Sequence, residues 1–507
     1  MQRGFSMDNN SFSSLIISIL EGMSVLFIFA VGMVVFVVIV MFIIDITQSH
    51  HAIRRNYPVI GRFRYLFEQL GEFFRQYFFA MDREELPFNR AQRSWVYRAA
   101  KNTDNTMAFG STRDLRNPGT VLFVNCPFPT LEQDAVTTKP VTIGPHCATP
   151  YTTSSLINIS AMSYGAISKP AVLALSRGAY LAGCWMNTGE GGMSPYHLEG
   201  GADLVFQLGT AKYGVRDELG QLDEEKLKNI AANPCVVMFE IKLSQGAKPG
   251  KGGILPAAKV TEEVASIRGI RMGEDSISPN RHPEINSVDD LLAYIAQVKR
   301  ITNKPVGFKT VIGSPDWLET LCEAMTKCND NDLPDFITVD SADGGSGAAP
   351  MALMDDVGLP LRESLPMVVD KLTQHGLRQR IKVIASGKLI TPTDVAWALC
   401  LGADFINSAR GFMFSLGCIQ ALQCNKNTCP TGITTHNERL QKGLNPEHKS
   451  VRVKQYVKNI NHEVGMIAHS CGVHEPRELQ RSHARVVTNT GVSIALDVLH
   501  PNNKLSV

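Results

Sequence analysis

The stretch Lys382–Gly411, KVIASGKLITPTDVAWALCLGADFINSARG, reads as two β-strands joined by a helix. Lys382–Ser386 and Asp404–Ser408 are short, nearly continuous apolar runs, the pattern of parallel strands buried on both faces. Pro392–Leu401 between them has a helical pattern, which makes the unit a β–α–β crossover. Each strand ends in a small loop, Ser386-Gly387-Lys388 and Ala409-Arg410-Gly411. Backbone N–H groups in such loops can cradle a phosphate where Gly lets the ligand come close, and Arg410 adds a two-pronged donor. Either loop alone is an ordinary turn. Together they favour a phosphorylated cofactor.

The same texture extends upstream. Ile157–Met162, Cys184–Asn187, Leu204–Leu208, Val237–Lys242, Pro305–Thr310 and Asp335–Asp340 are further strand candidates. Helical patterns at Lys169–Ala182, Ser287–Ile301 and Asp316–Lys327 lie among them. Eight such strands predict an α/β fold, a (β/α)8 TIM barrel, with a doubly wound sheet as the alternative. Glycine-rich and polar stretches follow the C-terminal ends of the strands, which favours the barrel and puts its active site there.

The 507 residues leave room for appendages on such a barrel. Lys and Arg total 50 against 48 Asp and Glu, so there is no basic excess to neutralise phosphates and nucleic acid is not expected as a partner. Met23–Ile44 holds 22 residues without a charge. As a helix it would span roughly 33 Å, enough for a bilayer core of about 30 Å. Its flanks do not suit a cleaved signal peptide. Arg54, Arg55, Arg62 and Arg64 follow it, which predicts a single-pass anchor in the inner (cytoplasmic) membrane with the remainder in the cytoplasm. The expected organisation is 1–48 with a transmembrane helix at about 15–44, a basic and aromatic juxtamembrane region at 49–125, the barrel at 126–445, and a helical extension at 446–507. Phe63, Phe73, Phe74, Tyr77 and Phe78 in the second region suit either an amphipathic helix at the membrane surface or packing against the catalytic domain.

Eleven cysteines, an odd number in a cytoplasmic chain, argue against a disulfide framework. Three crowd together as Cys418-x5-Cys424-x4-Cys429-Pro430. That spacing fits zinc poorly and suits an iron–sulfur cluster. Three ligands point to [3Fe–4S], with His436 or a distant cysteine as a conceivable fourth. The loop begins just beyond Gly411, so cluster and phosphate site are expected to be neighbours.

Five motifs in order complete the reading. Ile159–Ser168 (ISAMSYGAIS), Asn187–Gly192 (NTGEGG), Glu240–Gly250 (EIKLSQGAKPG), Asp343–Pro350 (DGGSGAAP) and the cysteine loop resemble the FMN-binding synthase domain of glutamate synthase. The likeness covers roughly residues 150–440 and is greatest to the stand-alone, membrane-anchored branch of that family. The resemblance implies FMN, a [3Fe–4S] cluster and a 2-oxoglutarate site. By position it implies that Ala161, Met162 and Ser163 line the flavin, with Gln207 and Lys242 at its ring and Lys309 as the next barrel lysine. It puts Asp343, Gly344 and Gly345 along the ribityl chain and phosphate, and Ser386, Gly387, Ala409, Arg410 and Gly411 at the phosphate cradle. Lys248 and Arg268 match the family's substrate cations, and Glu190 matches a glutamate that gates ammonia. Ile254 stands where the family has glutamine, so a keto or amino acid is expected but its identity is open.

The chain opens Met1-Gln2-Arg3 and runs into the apolar segment, so the amidotransferase nucleophile of glutamate synthase is not expected. No GxGxxG opens a β–α–β unit for a pyridine nucleotide. Nitrogen and electrons are therefore expected from free ammonia, an amine, or electron-donor and amidotransferase partners. The activity expected is reductive amination of 2-oxoglutarate or a related keto acid to glutamate. Transfer of an alkylamine onto glutamate, and a non-catalytic redox subunit of a membrane complex, are the alternatives.

Overall fold

The structure is a computed structural model and describes residues 9–136 and 138–501. The chain divides into two units, residues 1–91 and 92–507.

In the larger unit the eight strands form in order: β1 Ile157–Ile159, β2 Met186–Asn187, β3 Leu204–Leu208, β4 Val236–Lys242, β5 Val306–Thr310, β6 Phe336–Asp340, β7 Lys382–Ser386 and β8 Phe405–Ser408. Each pairs in parallel with its sequence neighbour, and β8 closes onto β1 with Ser408 opposite Ile159. This is a (β/α)8 barrel. Asn303 ends the helix Val288–Thr302 in the left-handed conformation at φ 57°, a C-cap that asparagine accommodates.

The barrel interior changes character along its axis. At the strands' N-terminal end Trp185, Val205, Met238, Phe336 and Phe405 pack with Ile143 and Tyr151. The last two belong to a hairpin, Val141–Ile143 with Tyr151–Thr153, that covers this end. Above it the interior is polar. Glu240 is buried and accepts hydrogen bonds from Asn187 Nδ2 at 2.9 Å, Gln207 Nε2 at 2.6 Å and Thr338 Oγ1 at 2.9 Å. A buried carboxylate is tolerated only with such a set of donors.

Asp335, just before β6, is also fully buried. It takes Lys299 Nζ at 3.0 Å, Arg380 Nη2 at 2.9 Å and the Val306 N–H at 2.9 Å. Asp335→Ala would leave a buried lysine without its counter-charge. The expected cost is about 3–5 kcal/mol, read as a loss of unfolding free energy in urea.

The boundary at residue 91 falls inside the 49–125 region expected as one juxtamembrane segment. Residues from 92 onward belong with the barrel: Trp95 Nε1 donates to Glu463 Oε2 at 3.0 Å, and strand Val121–Phe123 pairs with Ala484–Val487. The C-terminal extension is helical through Pro446–Ser470. Beyond it the expectation of further helix is corrected, because Ala484–Val487 and Ser493–Ala495 pair as strands. Isoleucine and valine in these short runs suit a sheet, and pairing with the strand at 121–123 decides it.

In the smaller unit Asn9–Thr47 is one continuous helix. Its apolar side chains are exposed on every side, as with Val25 at 67% and Phe29 at 65%. Among the described residues it is the one helix long and apolar enough to cross a membrane. Asp45 near its end is buried and accepts Arg62 Nε at 2.9 Å, Arg62 Nη2 at 2.8 Å and the Val59 N–H at 2.9 Å. The next long helix, Gly61–Phe74, continues into one wider turn over Arg75–Phe79.

Candidate active site

Strand pleat decides which side chains reach the barrel mouth. Glu240 and Lys242 lie two apart on β4 and share its inner face, as Thr338 and Asp340 do on β6. Lys242 and Lys309 stand opposite each other in the β4–β5 register. Two adjoining clefts open above them. Ala161, Ser163, Glu190, Gln245, Gly345, Ala409 and Arg410 line both.

The inner cleft gathers Gln207, Lys242, Lys309, Ser386, Gly387 and Arg410. Gln207 Nε2 is committed to Glu240, so its amide oxygen is what remains for a ligand, an acceptor suited to an N–H. Lys309 Nζ pairs with Asp340 at 3.1 Å. Burial would lower this lysine's pKa, but Asp340 and Glu240 outweigh burial and hold it above the usual value. Arg410 Nη2 donates to the Ser346 carbonyl at 2.7 Å. A Cβ on Gly345 would come within 2.8 Å of Arg410 Nε, so glycine leaves the room this cradle needs.

The outer cleft holds Met162, Lys248, Ile254 and Arg268 beside Glu190. Glu190 Oε1 receives Lys242 Nζ at 2.8 Å. Burial would raise this carboxyl's pKa, yet Lys242, Lys248 and Arg268 together hold it below the usual range. Two glycines seat it: a Cβ on Gly209 or Gly253 would lie 2.5 Å from Glu190 Cβ or 2.4 Å from its Oε1. Lys248 is buried, and burial with the nearby Lys242 pushes its pKa down to about 8. Arg268 packs over the Tyr213 ring at 5.0 Å and donates to Ser276 Oγ and the Tyr164 carbonyl, each at 3.2 Å. Burial lowers its pKa as well. The clefts thus offer several cations and two carboxylates, Glu190 and Asp340, an arrangement that suits an organic acid and a second, cationic reactant.

Not every expected residue gathers there. Gly344 and Gly411 are absent from the linings of both clefts. Gly411 is glycine for packing, since a Cβ would come within 2.2 Å of Tyr456 Oη. Asp343 faces a separate cavity with Arg362 and Trp397, paired to Lys388 at 2.9 Å. Ser341 and Lys388 outweigh burial and hold its carboxyl below the usual value.

Of the three loop cysteines, Cys424 lines the outer cleft and Cys429 is buried. Burial raises the Cys418 thiol, and the other two sulfurs lie close enough to raise it further. Burial acts the same way on Cys429, but hydrogen bonds with Thr431 and Thr434 reverse it and leave the thiol below its usual value. Among the described residues no three His, Cys, Asp or Glu are arranged to hold a single metal ion. The three sulfurs nonetheless sit near one another on one loop, and thiolates are the donors that iron–sulfur clusters use. His436 is engaged elsewhere, its Nε2 bonded to the Gly165 carbonyl at 2.8 Å.

Three contributors, Gln245, Lys259 and Asp340, went unread in the sequence. Gln245 lines both clefts. Lys259 is buried and donates to the Ala166 carbonyl at 3.0 Å and the Cys424 carbonyl at 2.7 Å. A lysine in an irregular loop carries no periodic signal, whereas Asp340, two residues past Thr338 on β6, could have been found from strand alternation.

Residues 123–474 match the family model for the conserved region in glutamate synthase. The glutamate synthase large subunit-like protein YerD of Bacillus subtilis (strain 168) is 41% identical over 497 residues, covering 90% of this chain and 94% of that protein. The archaeal-type glutamate synthase (NADPH) of Thermotoga maritima is 33% identical over 338 residues, 66% of this chain and 63% of that one. The glutamate synthase (NADPH) large chain of B. subtilis is 34% identical over 297 residues, of which this chain spans only 18%. On the family match and the near full-length likeness, the chain belongs to the glutamate synthase family of oxidoreductases.

Proposed function

We propose that this protein is an FMN- and iron–sulfur-dependent oxidoreductase acting on the C–N bond of an amino acid. In the synthase direction it aminates 2-oxoglutarate or a related keto acid, with ammonia or nitrogen supplied by a partner. The observation that carries this reading is the Glu190–Lys242 pair at 2.8 Å, with Lys248 and Arg268 beside it and the glycine-lined cradle adjoining.

FMN, when bound, supplies hydride to or from the carbon bearing nitrogen. Ser386, Gly387, Ala409 and Arg410 would hold its phosphate, and Ala161–Ser163 would flank its ring. Lys242 would place positive charge at the ring edge where negative charge develops. Lys248 and Arg268 would grip the substrate carboxylates. Glu190, kept ionised by its neighbours, would hold ammonium by charge and hydrogen bonding and accept its proton before attack. Cys418, Cys424 and Cys429 would hold a [3Fe–4S] cluster, which would relay single electrons from a partner electron donor toward the flavin. The helix at Ser13–Thr47 would anchor the chain in the inner membrane, its basic C-terminal flank on the cytoplasmic side.

An apolar wall of Met162, Ile167, Ile254, Leu255 and Met413 favours a second reading, in which an alkylamine replaces ammonia. Anaerobically purified protein should show flavin bands with a broad iron–sulfur shoulder and, once reduced with dithionite, should be reoxidised by keto acid plus a nitrogen source. Faster turnover with methylamine than with ammonia would select the second reading. A colourless folded protein would sink both.

Lys248 gives a pH dependence. It must be protonated to hold a carboxylate, and its pKa is about 8, so the bond is present below that pH and lost above it. The expected result is that kcat/KM for the keto acid falls about tenfold per pH unit above this point. Lys248→Arg should remove that limb, because arginine stays charged throughout.

A further inference from the structure

The helix Gly61–Phe74 is sharply two-sided. Phe63, Leu66, Phe67, Leu70 and Phe74 recur at spacings of three and four and so share one face. All five are exposed, from Leu70 at 37% to Phe67 at 65%, so among the described residues that face stays open to solvent. Arg64 and Glu68 lie on the opposite face, which ordinary surface helices of soluble domains also have. What is unusual is the apolar side, where five large side chains are exposed together.

The position of this helix is fixed at one end. Arg62, in its first turn, donates through both Nε and Nη2 to Asp45, and Asp45 also holds the Val59 N–H. Asp45 lies in the last turn of the long apolar helix. This clamp ties the start of the two-sided helix to the polar end of the long one, where a bilayer core would stop. Exposed Arg55, Arg64 and Arg75 add positive charge there, complementary to anionic headgroups.

We propose that Gly61–Phe74 lies in the membrane–water interface, its apolar face seated in the upper acyl region of an anionic bilayer. This rests on the reading of Ser13–Thr47 as a membrane span. The occupant is lipid rather than protein because the clamp starts the helix at the interface and the flanking charge suits headgroups.

The test uses the full chain in bilayers of phosphatidylcholine and phosphatidylglycerol carrying bromine on the acyl chains. Three single variants are compared with the unsubstituted chain: Phe67→Trp on the apolar face, Glu68→Trp on the polar face and Phe36→Trp within the span. The four native tryptophans all lie beyond residue 91, so the unsubstituted chain sets the background. Bromines near the headgroup end should quench F67W about threefold more than E68W, and bromines near the chain ends should quench F36W most. Quenching of F36W without F67W would overturn the interfacial helix and leave the anchor standing. Shielding of F67W from aqueous acrylamide without bromine quenching would assign the face to a protein partner or a second copy, and would overturn it too. No quenching of F36W would remove the anchor reading, and this one with it.

Discussion

Cys429→Ser should erase the broad iron–sulfur absorption and lower turnover with a one-electron acceptor by about three orders of magnitude, equivalent to ~4 kcal/mol of barrier. Serine matches cysteine in size but is a far poorer ligand for iron. The fold should survive, because the cysteine loop is held by other contacts: Tyr97 Oη donates to the Cys418 carbonyl at 2.5 Å, and Asn427 Nδ2 to the Ala258 carbonyl at 3.1 Å. Unchanged thermal unfolding with a lost spectrum is the signature to look for. Retention of the full absorption in the serine variant would remove Cys429 from the ligand set. Cys424→Ser provides the matching comparison from the cleft side.

Lys242→Met is expected to lower kcat about 100- to 1,000-fold with a smaller change in KM. The lysine sits in the inner cleft and holds the Glu190 carboxylate at 2.8 Å, so methionine removes both a charge at the reacting centre and the partner of a buried acid. Glu190 would then rely on Lys248 and Arg268 alone, and its pKa should climb toward neutrality as burial takes over. The pH profile of kcat should gain an acidic limb that the unsubstituted enzyme lacks. A KM effect without a kcat effect would mean that Lys242 serves binding only.

The barrel was legible because each strand is a compact apolar run with its polar or glycine residues just past the end, as in Lys382–Ser386 followed by Gly387. β1 and β2 were the least so: Cys184 and Trp185 precede the two-residue β2, because the Trp185 side chain serves the floor of the barrel and its indole bonds Asn407 Oδ1 at 3.1 Å. Within the site, charged residues at strand ends could be read from alternation. Gly411 shows why other positions could not. Its need for glycine comes from Tyr456, on a helix folded back from the C-terminal extension, and nothing local announces it. Gly344 is similar, set against Gly246 across two loops: a Cβ on Gly246 would lie 3.0 Å from Gly344 Cα. The division at residue 91 was hidden too, because Arg- and aromatic-rich composition continues across it.

Lys259 has a bearing on how such an enzyme matures. Its ammonium joins the carbonyl after β1 to the carbonyl of Cys424, so backbone oxygens rather than sulfurs position the cysteine loop. A seat built this way takes its place from the backbone. For the proposed cluster, loading would then be separate from completing the barrel, and its loss would leave the polypeptide's own contacts standing. Refilling would be a chemical step, not a refolding one.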